Sequence, residues 1–261
     1  MFVTVNGNRF EALLEGPDGA PVVTLSHSLC TNLKAWDDLT EALVPDFRVL
    51  RYSMRGHGRS GATPGPYSLS GLAADVAALQ TSFGITKSHF VGLSIGGMIA
   101  QTFALEHPER LDKLVIASSL CELPEGSAPL WAERIAAAQQ NGIEALVEPT
   151  AERWFTKAAF DAGHPAIERA RAMIRETSLE GYIGCCHAIS NLDLSGRLPG
   201  VKAETLVIVG REDQGTPVAA SERIAACIPG AVLKVVEEAS HQVALEQPEI
   251  FQSTLVDFLK S

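Results

Sequence analysis

Two apolar rhythms alternate over residues 1–120. Short runs rich in β-branched and aromatic residues read as strands: Phe2–Val5, Phe10–Glu15, Pro21–Leu25, Phe47–Arg51, His89–Leu93 and Leu114–Ala117. Between them apolar residues recur every three to four positions. Trp36, Leu39 and Leu43 mark a helix over Leu33–Leu43, and Leu72, Val76 and Leu79 mark one over Leu69–Phe83 that ends at Gly84. A third helix runs from Ile95 to about His107. Gly16-Pro17-Asp18-Gly19 is a turn. Near-continuous apolar strands alternating with helices predict an α/β fold with a mostly parallel central sheet covered on both faces.

The rhythm breaks at Glu122. From there to Leu192 the chain carries only helical patterns, punctuated by Pro124, Pro129, Gly142, Pro149, Gly163, Pro165, Gly181 and Gly184. Strand patterns return at Thr205–Val209 and Val232–Val236, with a helix over Val218–Cys227 between them and a last amphipathic helix over Ile250–Leu259. The expected organisation is a sheet core of residues 1–121 and 193–261, interrupted by a helical cap of residues 122–192. The charges between Glu168 and Glu176 are expected on a solvated helix face.

Composition narrows the partners. The 261 residues carry 21 Lys and Arg against 31 Asp and Glu, a net charge of -10, which argues against nucleic acid as the main partner. No apolar run reaches the roughly 18 residues of a membrane span, and the first residues lack the pattern of a secretory signal. The 5 cysteines, an odd number, read as reduced thiols of a cytoplasmic protein rather than a disulfide framework. Cys185-Cys186 reads as helix packing. No metal-ligand spacing occurs, and the chemistry below needs neither a metal nor an organic cofactor.

Gly92-Leu93-Ser94-Ile95-Gly96 fits G-x-S-x-G. A strand precedes it and a helix follows it, the setting in which a tight turn exposes a nucleophilic serine. A capping serine in a glycine-rich turn is the structural alternative. A serine hydroxyl needs a base. His241, on a loop after a strand, is the candidate at the C-terminal edge shared with Ser94, whereas His107, His164 and His187 lie in helical or turn patterns and His89 begins a strand at the far edge. The base needs a carboxylate to orient it. Asp213, just after the strand at Thr205–Val209, supplies one, with Glu212 as the rival. The backbone N–H groups of Ile95 and Leu29 are the expected oxyanion donors.

The order Ser94, Asp213, His241 is that of the α/β-hydrolases, and the chain resembles that superfamily along nearly its whole length. Arg55-Gly56-His57-Gly58-Arg59-Ser60 resembles its R-G-x-G-x-S turn, for which Arg55, Gly56 and Gly58 have a structural reading. Within the superfamily the chain most resembles the 3-oxoadipate enol-lactonases, through Ser26-His27-Ser28-Leu29 with Trp36, Phe47–Tyr52, Arg55–Gly58, Pro64-Gly65-Pro66-Tyr67-Ser68, Gly92–Met98, and Trp131-Ala132-Glu133-Arg134, which is similar to that family's W-x-x-R. It departs at His27, where asparagine is frequent, and at Cys30, where glycine is frequent. The resemblance implies an α/β-hydrolase fold and a serine hydrolase that opens a small anionic enol-lactone in aromatic catabolism. Arg134 is the expected holder of the substrate carboxylate and Trp131 a wall of the pocket. The alternatives are a general carboxylesterase, another lactonase or a cofactor-free perhydrolase on the same fold. A ligand receptor that keeps the fold belongs to another class.

Overall fold

The computed structural model describes residues 1–261. Eight strands form one sheet: β1 (Phe2–Val5), β2 (Asn8–Glu15), β3 (Val22–Ser26), β4 (Arg48–Tyr52), β5 (Ser88–Leu93), β6 (Leu111–Ala117), β7 (Thr205–Gly210) and β8 (Val232–Val236). Their spatial order is β1-β2-β4-β3-β5-β6-β7-β8, with β2 antiparallel to both neighbours and the remaining pairs parallel. Every residue of β5 and β7 is buried, as strands covered on both faces require. β8, at the edge, alternates exposed and half-buried positions and ends on the buried Val236.

Successive strand residues feed two cores. Phe90, Leu114, Ile116 and Val207 pack on one face with α2 (Leu69–Ser82), α3 (Ile95–Glu106) and α9 (Val218–Cys227). Val91, Val115, Leu206 and Ile208 pack on the other with α1 (Asp37–Leu43) and α11 (Pro248–Lys260), and the short α10 (Val243–Glu246) lies beside α11. The helix expected over Leu33–Leu43 is split. Leu33–Trp36 is a 3-10 turn, capped by the Asn32 side chain on the Lys34 N–H, and α1 begins only at Asp37.

Between β6 and β7 run α4 (Ser127–Asn141), α5 (Val147–Trp154), α6 (Lys157–Asp161), α7 (Pro165–Arg175) and α8 (Leu179–Ser190). The chain leaves and rejoins the sheet layer side by side: Glu122 bridges Asp193, and the Leu194 N–H donates to the Cys121 carbonyl at 2.7 Å. The insertion has its own core, in which Ala138, Val147, Ala170 and Ile174 pack together with Cys30, Ala35 and Leu245 from outside it. The α7 charges do more than meet solvent. Arg169 pairs with Asp38, and Glu176 accepts from Asn32 and Lys34, so this face ties the insertion to the segment before β4. All 5 cysteines are free. Among the described residues no helix is long and apolar enough to cross a membrane.

Candidate active site

Ser94 ends β5 and opens α3 in a sharp turn at φ 59° and ψ -120°. Left-handed backbone is unfavourable for a residue with a Cβ, so contacts must hold it. The Ser94 N–H donates to the Ala117 carbonyl at 2.9 Å, and its carbonyl accepts from the Met98 N–H at 3.1 Å and the Ser119 hydroxyl at 2.8 Å. The motif's glycines answer to sterics. A Cβ on Gly92 would stand 2.1 Å from the Gly96 carbonyl oxygen, and one on Gly96 would stand 2.1 Å from that of Ser26. The turn closes only where strand, helix and the loop after β3 meet backbone to backbone.

Asp213 follows β7 and is buried. Its Oδ1 accepts from the N–H groups of Gly215 and Thr216 at 2.9 and 2.8 Å. Its Oδ2 accepts from the Thr216 hydroxyl at 2.5 Å and from His241 Nδ1 at 2.9 Å. Burial alone would raise the Asp213 pKa, but the charge and hydrogen bonds of His241 and Thr216 outweigh it and hold the carboxyl below its usual value. With Nδ1–H given to Asp213, His241 keeps Nε2 as its free basic nitrogen. Glu212 is exposed and makes no such contact, so of the two acids it is Asp213 that lies against His241.

The His241 loop is fastened on three sides. The Trp154 ring stacks on the imidazole at 6.4 Å, and the Gln242 N–H donates to the Trp154 carbonyl at 3.0 Å. The Gln242 amide donates to the Ser28 hydroxyl at 2.8 Å. The buried Glu246 carboxylate accepts from the Ser240 N–H at 2.7 Å and from the Thr156 N–H, at the N-cap of α6, at 2.8 Å. The loop thus touches both the insertion and the loop after β3.

Ser94 and His241 line one cavity of about 130 Å³, closed by Leu29 from the loop after β3 and by Trp131 and Arg134 from α4. The Arg134 guanidinium lies 4.7 Å from the Trp131 ring centroid. Leu29 N–H and Ile95 N–H, the first of α3, have no hydrogen-bond partner among the described residues. The Ile95 side chain is buried in the core. The sequence reading missed Thr150, Arg153, Trp154 and Tyr182, which line the same cavity. Thr216 lines it as well and was also missed.

The two departures in the loop after β3 have distinct explanations. His27 is fully buried. Its Nδ1–H donates to the Ser28 carbonyl at 2.8 Å and its Nε2 accepts from the Met54 N–H at 2.8 Å, so the ring splices this loop to the segment after β4. Cys30 has φ 62°, a conformation natural to glycine, the residue that the resemblance leads one to expect there. Burial pushes its thiol far above the ordinary range, away from the thiolate form. Arg55 has the structural role expected of it, paired with Asp75 through Nε at 2.5 Å and Nη2 at 2.7 Å.

A family model described as the alpha/beta hydrolase fold matches residues 21–159. The chain belongs to the α/β-hydrolase family. A curated relative, 3-oxoadipate enol-lactonase 2 of Acinetobacter baylyi, is 31% identical over 94% of this chain and 91% of its own length. The solved enol-lactonase of Burkholderia xenovorans LB400 superposes with a TM-score of 0.96 at 34% identity and covers 100% of both chains. A protein of Pseudomonas savastanoi named as a carbamate hydrolase, RutD, is 30% identical over 93% of this chain and 95% of its own length. The two curated relatives differ in the substrate their names give and are near-equal in identity to this chain.

Proposed function

We propose that this α/β-hydrolase opens the ring of 3-oxoadipate enol-lactone to 3-oxoadipate in the catabolism of aromatic compounds. Ser94 is the nucleophile, His241 the base and Asp213 its orienting acid. Residues 122–192 serve as a cap over the site, and free thiols fit a cytoplasmic setting. One observation carries the reading: an arginine held over an indole lines the cavity shared by Ser94 and the Asp213–His241 pair. In a protein of net charge -10 a substrate carboxylate gains nothing from long-range attraction, so a local cation must recognise it. Arg134 offers a planar fork for that carboxylate and Trp131 an apolar wall for the ring.

The residues account for each step. His241 Nε2 takes the Ser94 proton as Oγ attacks the lactone carbonyl, and the N–H groups of Leu29 and Ile95 receive the oxyanion. Collapse breaks the ring C–O bond, and His241 returns the proton to the enol oxygen that leaves. The enol becomes a ketone, which removes the ring-closing nucleophile. Water, deprotonated by His241, then attacks the acyl-enzyme, restores Ser94 and frees the second carboxylate.

The test compares steady-state opening of fresh enol-lactone with hydrolysis of p-nitrophenyl acetate and of an aliphatic carbamate. The expected kcat/KM on the lactone exceeds about 10⁵ M⁻¹s⁻¹, far above the other two, and falls by at least about 10³-fold in Ser94→Ala. Good ester or carbamate turnover with weak lactone turnover would overturn the substrate assignment.

A further inference from the structure

The insertion contains five arginines, and they divide by placement. Arg169, Arg171 and Arg175 each pair with an acid on the outer surface. Arg134 and Arg153 line the cavity with Ser94 and His241, and neither forms a salt bridge among the described residues. Arg153 has one side-chain partner, the Thr150 hydroxyl, which accepts from Nη2 at 3.1 Å and belongs to the same cavity wall. Arg153 is solvent-accessible and also lines an outer cavity of about 580 Å³ beside Glu152, Lys157 and Ser240, so it stands in the wall between the two spaces. Burial, and after it the nearby charge of Arg134, lower its pKa. Two guanidinium groups therefore face one cavity, and although the charge of the neighbouring Glu152 acts on Arg153, neither group has a carboxylate in a salt bridge among the described residues.

Without a salt-bridge partner, each guanidinium keeps its fork of N–H donors open to an anionic ligand in the cavity. One carboxylate can satisfy one guanidinium fork. A second unpaired guanidinium in the same cavity calls for a second anionic centre. We propose that Arg153 is a second anion-binding residue of this cavity, and that with Arg134 it makes the site selective for dicarboxylates over monocarboxylates of the same length. The inference rests on reading this cavity as the substrate site. It also adds a consequence. Opening a carboxylated lactone creates one more carboxylate than the substrate had, so the product is held more firmly than the substrate and competes with it.

Competitive inhibition of p-nitrophenyl acetate hydrolysis by adipate and by hexanoate tests this, since the two differ by one carboxylate. The readout is the ratio of the two Ki values within each variant, which cancels any change in ester turnover. In the wild type adipate is expected to bind at least about tenfold more tightly than hexanoate. Arg153→Gln is expected to bring the ratio to within about threefold of unity, with Arg153→Lys in between. If Arg153→Gln turns over too little ester, the ratio is read from ligand-induced protection against thermal unfolding. A wild-type ratio near unity, or a ratio unchanged in Arg153→Gln, overturns the proposal. The outcome is independent of the enol-lactone assay. A protein that ignores the lactone but shows the Arg153-dependent ratio refutes the lactonase reading and keeps this one.

Discussion

Ser94 is held at φ 59° by its neighbours, and that backbone has a cost that substitution can expose. Alanine at this position loses the hydroxyl but keeps the Cβ and the strain. Glycine loses both, and left-handed backbone costs a residue with a Cβ about 1–2 kcal/mol. Ser94→Gly should therefore be more stable than Ser94→Ala by roughly 1 kcal/mol, or about 2–4 °C in Tm for a chain of this size. Equal melting temperatures for two equally inactive variants would mean that the turn is not strained. Residue identity was legible in the sequence where chemistry restricts the choice. A serine between glycines after a strand, an acid after β7 and a histidine after β8 are rare conjunctions. Thr216 and Trp154 were not legible. A threonine three residues past an acid, or a tryptophan at a helix end, takes on a role only when folding brings it to His241. Arg153 was hidden for the same reason. Nothing in its sequence neighbourhood distinguishes an arginine that faces a cavity from one that pairs with Glu144, as Arg175 does.

At the scale of elements, the central strands were legible because burial on both faces demands uninterrupted apolar runs, the edge strands because β-branched and aromatic residues mark them, and all eight appear where the sequence places them. The split before α1 was not, because the same apolar spacing serves a 3-10 turn followed by an α-helix. Nor were the contacts between elements. Glu246 in α10 is a buried carboxylate that uses one oxygen for the insertion, at Thr156, and the other for the His241 loop, at Ser240. Glutamine keeps the shape but has a single oxygen, so Glu246→Gln must set an amide N–H₂ against a backbone N–H. Leaving one buried donor unmet costs about 1–3 kcal/mol. Chemical denaturation should show a loss of that size, and kcat/KM should fall with it, because Ser240 directly precedes His241. Unchanged stability and kinetics would show that the loop keeps its place without this link.

For the molecule as a whole, stability against acid follows from two buried histidines, His27 in the loop after β3 and His57 in the segment after β4. His27 and His57 are fully buried, with ring centroids 5.4 Å apart. His27 Nε2 must stay unprotonated to accept from the Met54 N–H. His57 Nδ1–H donates to the Arg55 carbonyl at 2.9 Å, while its buried Nε2 has no partner to stabilise an added proton. Burial lowers both pKa values, that of His27 well below 6.5 and that of His57 to about 4. Unfolded, each ring takes a proton near pH 6.5, whereas folded, each resists it down to its depressed value. Above that window both states are neutral and the histidines contribute no slope. Within it the unfolded state binds more protons, so each ring removes about 1.4 kcal/mol per pH unit as the pH falls. Asp213, held below its ordinary value, adds a loss of the same sign at lower pH. The net charge of -10 works the other way, since protonation of surface acids relieves their mutual repulsion. That relief is spread over exposed groups and screened by salt, whereas the two rings are buried, so the histidine slope should prevail at moderate ionic strength. Urea denaturation at about pH 7.5, 6.5, 5.5 and 4.5 should give a plateau followed by a decline, and His57→Gln should make the decline shallower by about one proton. A flat profile across the lower three values would mean that the two rings are protonated in the folded protein, and that the loop carrying Leu29 is held by something other than the His27–Met54 hydrogen bond.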